Sequence, residues 1–104
     1  MNGRRRILPP SYENTVHRFS LDFATVIDII ELFADCDLDY LQVDETRFIV
    51  LFHGEVIRLQ ITTDARTDTT TIHGYGLETS RSRTNNWREL LDRFTSQLRT
   101  VSKR

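Results

Sequence analysis

Nucleophilic catalysis needs a thiolate or alkoxide held beside a base, and the residues of that type here are Cys36 and the histidines His17, His53 and His73. The cysteine lies in the segment FADCDLD, and carboxylates flanking a thiol work against its ionisation. Cys36 therefore reads as a structural residue near the end of a helix. One cysteine and three scattered histidines fall short of the paired spacings that hold zinc. Asp35, Asp37 and Asp39 alternate like the opening of a calcium loop. The resemblance to such a loop stops at Tyr40, where the sharp turn needs glycine, and at Thr46, where a bidentate glutamate belongs. These aspartates read instead as the close of a helix and the opening of a strand. No cofactor is implied, and the chain is expected not to be an enzyme.

His73-Gly74-Tyr75-Gly76 has two glycines that would let a ligand approach the backbone, but lacks the third glycine of a dinucleotide fingerprint and the Lys-Ser/Thr of a phosphate loop. Its plain reading is a bulged or bent edge strand. A lesser reading is a small-ligand or enzymatic pocket between helices and sheet, lined by His73 and Tyr75. The arginines offer stronger polar contacts. Arg4, Arg5 and Arg6 near the N-terminus, and Arg81 and Arg83 in a Ser/Thr-rich loop, could neutralise phosphates or grip an acidic protein surface. A net charge of −1 argues against a dedicated nucleic-acid binder, which usually carries a basic excess. That average conceals an asymmetry: residues 19–45 hold Asp22, Asp28, Glu31, Asp35, Asp37, Asp39, Asp44 and Glu45 and no basic side chain. Such a block orients a charged partner and repels a polyanion.

The composition, 38% hydrophobic and 28% charged over 104 residues, is that of an ordinary globular chain long enough for one core. A lone cysteine gives no sign of an oxidising compartment. MNGRRRILPP is not followed by an apolar signal core, and no apolar run approaches the roughly 18 residues needed to span a bilayer, so the expected location is cytoplasmic.

The elements that must position these residues follow from apolar spacing. Residues 1–18 read as a flexible basic arm and 19–104 as one domain. Phe23, Val26, Ile27, Ile30, Phe33 and Ala34 fall at helical spacing from Ser20 to Asp35, with Leu21, Ile29 and Leu32 off that stripe. Leu41 to Ile61 reads as a meander. Gly54-Glu55 is expected to make a two-residue turn that puts Phe48, Val50 and Phe52 inward with Ile57, Leu59 and Ile61. Ile49, Leu51, Val56 and Arg58 then fall outward. A turn at Glu45-Thr46 would add Leu41 and Val43 to the inner face and Tyr40 to the outer, although a one-residue slip would exchange them. Residues from Thr69 read as a fourth strand. A last helix is expected from Asn86, with Trp87, Leu90, Leu91, Phe94, Leu98 and Val101 as its apolar stripe.

The expected fold is α+β, a four-stranded antiparallel sheet with two helices packed on one face in the order α-β-β-β-β-α. This layout resembles small chaperone-like and adaptor domains that hold a partner chain on a helix-flanked sheet. The likeness covers residues 20–102 and brings no motif residue with it. The leading functional expectation is a small non-enzymatic protein-binding module of adaptor, chaperone or inhibitor type, acting as a homodimer or on another protein. Its contacts would be Tyr40, Ile49, Leu51, Val56 and Arg58 on the outer sheet face, extended by Leu21, Ile29 and Leu32. The alternative is nucleic-acid binding through Arg4, Arg5, Arg6, Arg81 and Arg83. No membrane partner is expected.

Overall fold

The computed structural model describes residues 15–102. In chain order they form β1 (Thr15–Phe23), α1 (Ile29–Asp35), β2 (Asp39–Gln42), β3 (Arg47–Phe52), β4 (Glu55–Asp64), β5 (Thr69–Glu78) and α2 (Trp87–Ser102). The strands make one antiparallel sheet in the order β1-β5-β4-β3-β2, with both helices over a single core on one face. The fold is α+β with five strands, not the four expected from the sequence.

The additional strand is β1, whose second half falls where the apolar spacing suggests a helix from Ser20. Phe19, Leu21 and Phe23 alternate with Arg18, Ser20 and Asp22, and the period of two turns the first set to the core. β1 pairs with β5 along its whole length, from Thr15 opposite Glu78 to Phe23 opposite Thr70. A short apolar run fits either period, and here a distant strand decides the outcome. Thr15 to Arg18, assigned above to the arm, open this strand. Residues 1–14, with Arg4, Arg5 and Arg6, lie outside the described residues.

The chain between β1 and α1 is tied down by β5. The buried Thr70 hydroxyl donates to the Thr25 carbonyl at 2.9 Å and accepts the Ile27 N–H at 3.0 Å, while Asp68 Oδ1 accepts the Val26 N–H at 3.0 Å. α1 begins only after Asp28, whose Oδ1 caps the Glu31 N–H at 3.1 Å. It ends in a Schellman arrangement: the Leu38 N–H donates to the Phe33 carbonyl and the Asp37 N–H to the Ala34 carbonyl, with Asp37 left-handed at φ 55°. The three alternating aspartates thus end α1, close its cap and open β2.

Two turns differ from their expected positions. The β3–β4 turn is at His53-Gly54, both with positive φ as a type I′ hairpin requires, not at Gly54-Glu55. Moving the turn by one residue shifts the pairing by two and preserves the faces, so Phe48, Val50, Phe52, Ile57, Leu59 and Ile61 are all in the core. It also draws Glu55 inward, where one carboxylate oxygen accepts the N–H groups of Arg83 and Thr84 at 2.6 and 2.7 Å. Those two donors account for a buried charge that would otherwise be costly.

The β2–β3 connection shifts by one residue, which exchanges the faces of β2. Tyr40, expected on the outer face, pairs with Val50 on the helix side and contacts the rings of Phe33 and Phe48. Leu41, expected inward, pairs with Ile49 on the outer side. Asp44 accounts for the longer loop. Its Oδ1 accepts the N–H groups of Thr46 and Arg47 at 3.0 and 2.9 Å, and its Oδ2 takes Arg47 Nε at 2.7 Å. The Arg47 guanidinium and the Thr46 amide hold this carboxyl below its usual value. Because the folded-state pKa is lowered, the stabilising contribution is present above the ordinary carboxylate value and fades as pH falls through the folded one. Asp44→Ala is expected to speed hydrogen exchange at Val43, whose N–H donates to the Arg47 carbonyl, and to leave the buried Ile57 amide unchanged.

α2 begins after Asn86, whose Oδ1 accepts the Glu89 N–H at 3.2 Å. It buries Trp87, Leu90, Leu91, Phe94 and Leu98 against the sheet. β5 is an interior strand between β1 and β4, not the edge strand expected. Its glycines serve packing, since a Cβ on Gly76 would overlap the Trp87 ring and one on Gly74 the Phe19 ring. Among the described residues no helix is long and apolar enough to cross a membrane.

Candidate functional site

With both helices on one side, the other face of the sheet is open, and its composition follows from the strand register. Residues directly opposite in antiparallel strands share a face. Val16 lies beside Leu77 and Leu51 beside Val56, and the pairing of Ile57 with Gly76 joins the two pairs into one aliphatic row. The next row runs Arg18, Tyr75, Arg58, Ile49 and Leu41 from β1 to β2. Leu41 is 63% exposed, Leu51 48% and Val56 40%, so aliphatic surface continues across three strands without cover from this chain's described residues. A scattered surface leucine is ordinary, whereas a contiguous patch of this kind marks a contact surface.

Beside that patch the sheet dips into a trough of about 760 Å³. Arg18, Arg47, Arg58 and His73 are among its lining residues, and none of the lining residues is an aspartate or glutamate. Tyr75 lies between the first and third of these arginines. The Arg18 guanidinium carbon is 5.5 Å from its ring centroid and that of Arg58 5.9 Å, both within cation–π range. Arg47 is bound to Asp44 at 2.7 Å, but Arg18 and Arg58 have no carboxylate within ion-pair distance among the described residues. The acidic block of residues 19–45 therefore leaves a basic trough on a chain whose net charge is −1.

The residues singled out from the sequence divide between the faces. Ile49, Leu51, Val56 and Arg58 come together on the open face, while Tyr40 does not. Leu21, Ile29 and Leu32, read as a possible extension of the contact surface, are buried in the core and unavailable to a partner. His73 and Tyr75 line the trough on the face opposite the helices, so the pocket expected between helices and sheet is not where they lie. Arg81 and Arg83 are exposed in the β5–α2 loop outside the trough, with Arg83 lining a separate 300 Å³ depression beside His53 and Glu89. Sequence reasoning missed Arg18, Leu41, Val16 and Leu77. The Arg18-Phe19-Ser20-Leu21-Asp22-Phe23 alternation is the signal that would have found the first.

The remaining chemistry-bearing residues are dispersed. His17 is on the helix side, stacked on Trp87 with Nε2 2.8 Å from Glu78 Oε1. Cys36 is buried at the end of α1, where its carbonyl accepts Gln97 Nε2 at 3.0 Å. His53 is a turn residue, and His73 is on the opposite face from Cys36. Among the described residues no group of three His, Cys, Asp or Glu side chains is placed to hold a metal ion. Comparison of the chain with protein-family models, curated proteins and solved structures finds no match in any of the three.

Proposed function

We propose that this chain is a small protein-binding module that works, without catalysing a reaction, through the open face of its sheet. The observation that carries the reading is the contiguous aliphatic surface of the exposed Leu41, Leu51 and Val56 with the half-buried Ile49, on the face that neither helix covers. Burying apolar surface is worth about 25 cal/mol per Å², so a partner seated there gains the main driving force of association from these side chains. An isologous homodimer would bring the same arginines to the same contact from both copies. Like charges meeting across an interface are unfavourable, which favours a different protein over a second copy.

A photo-crosslinking amino acid at position 51, expressed in cells, tests the reading. A discrete protein adduct is expected, lost when Ile49→Glu is added, with no such adduct from the same probe at the exposed Arg88 on α2. Adducts of equal yield from both positions, or none from position 51, would overturn it. The adduct mass separates another protein from a second copy. Circular dichroism of the Ile49→Glu, Leu51→Glu double variant should match that of the parent chain, because neither side chain belongs to the core.

A further inference from the structure

Resting on that reading, we infer that the Arg18–Tyr75–Arg58 array is an anion-recognition site, and that the face takes an acidic, aliphatic-rich segment of another protein. The two guanidiniums are the groups of the trough that lack a carboxylate, and the lining supplies none. Both are held over one ring, which restricts long side chains before any ligand arrives and lowers the entropy lost on binding. A planar guanidinium with its stacking face on an aromatic keeps its N–H edge free for a carboxylate.

The register sets the spacing of the two arginines along the sheet. Arg18 on β1 and Arg58 on β4 are separated by β5, so their Cα atoms stand two strand spacings apart, roughly 10 Å. Carboxylates two turns apart on a helix, about 11 Å, match that separation. The aliphatic row of Val16, Leu77, Val56 and Leu51 runs parallel to the arginine row, two residues further along each strand. A segment with acidic groups along one side and leucines along the next therefore meets charge with charge and apolar surface with apolar surface.

Single-stranded nucleic acid is the competing anion, and the surface favours it less. Two guanidinium groups lie over the Tyr75 ring, so it is not a free stacking platform for a base, and the other ring that lines the trough on the outer face is the small imidazole of His73. The adjoining aliphatic row offers nothing to a sugar-phosphate chain.

The test is an NMR titration of the full chain with a synthetic helix-forming peptide that carries a leucine stripe flanked by glutamates two turns apart. The same peptide with glutamine for glutamate, and a thymidine oligonucleotide, are run beside it. The expected result is amide shifts centred on Arg18, Tyr75, Arg58 and Val56. Binding should weaken about tenfold with the glutamine peptide, the scale of two exposed charge pairs. The Arg18→Gln, Arg58→Gln variant should bind both peptides alike, while Arg88→Gln, Arg99→Gln on α2 should behave as the parent chain. Equal binding of the two peptides by the parent would overturn the anion site and leave the binding-module reading standing. Shifts centred elsewhere, no binding by either peptide, or tighter binding of the oligonucleotide at these arginines would each overturn the inference. The cellular crosslink from position 51 then decides the module reading separately.

Discussion

Gly76→Ala is expected to lower the melting temperature of the domain by roughly 12 to 24 °C, the shift that about 3 kcal/mol produces in a domain of this size. One methyl has this effect because it would overlap the Trp87 ring, and the ring cannot easily yield. Trp87 is 3% exposed, forms the first turn of α2 and is stacked on His17 at an interplanar angle of 7°. Relief would require α2 to lift off β5 or β5 to bend out of its ladders with β1 and β4. Thermal denaturation followed by circular dichroism measures the loss. Trp87→Leu is expected to be destabilising alone, yet the double variant should lose less than the two single losses combined, because the smaller side chain admits the methyl. Additive losses, or a Gly76→Ala melting point within a few degrees of the parent, would show that the contact does not govern β5 packing.

Phe94→Ala is the second large effect, expected to remove about 3 to 5 kcal/mol of a total that for such domains is about 5 to 15. Phe94 is fully buried and meets Phe19 of β1 at 5.9 Å and Phe52 of β3 at 5.1 Å, both edge-on. Truncation leaves a cavity among three elements that cannot close together around it. Urea denaturation should show a lower midpoint with an unchanged slope. Phe94→Leu, which retains most of the volume, should cost less than half as much. If alanine and leucine behave alike, retained volume contributes little and the edge-on ring contacts to Phe19 and Phe52 carry the effect.

These two positions also mark how far the sequence was readable. Phe94 belongs to a stripe of period 3.6 with a polar opposite side and a capping asparagine, so its burial was legible locally. Gly76 gave the opposite impression, because a glycine-flanked aromatic looks like a weak edge, and only the arrival of Trp87 explains the missing side chain. The inward residues of β3 and β4 were legible for a reason that survives error: moving their turn by one residue shifts the pairing by two and preserves every face. β2 had no such protection, and the Asp44 loop reversed Tyr40 and Leu41. β1 was hidden by apolar residues that also fit a helix. Its partner β5 is far off in sequence, and Arg18, half of the arginine pair, was hidden with it. Ile49, Leu51, Val56 and Arg58 were therefore visible in the sequence as one face, whereas Arg18, Val16 and Leu77 were not.

The separation of β1 from β5 has a consequence for how the chain is made. The first described strand pairs with none of the strands that follow it until β5, Thr69–Glu78, has left the ribosome. At about 5 to 20 residues per second that is a wait of several seconds, during which Phe19, Leu21 and Phe23 have no ladder to join. β2, β3 and β4 can meanwhile meander together through short local loops. β1 thus has no partner strand until β5 is made, and until then its alternating segment is an unpaired strand open to other chains.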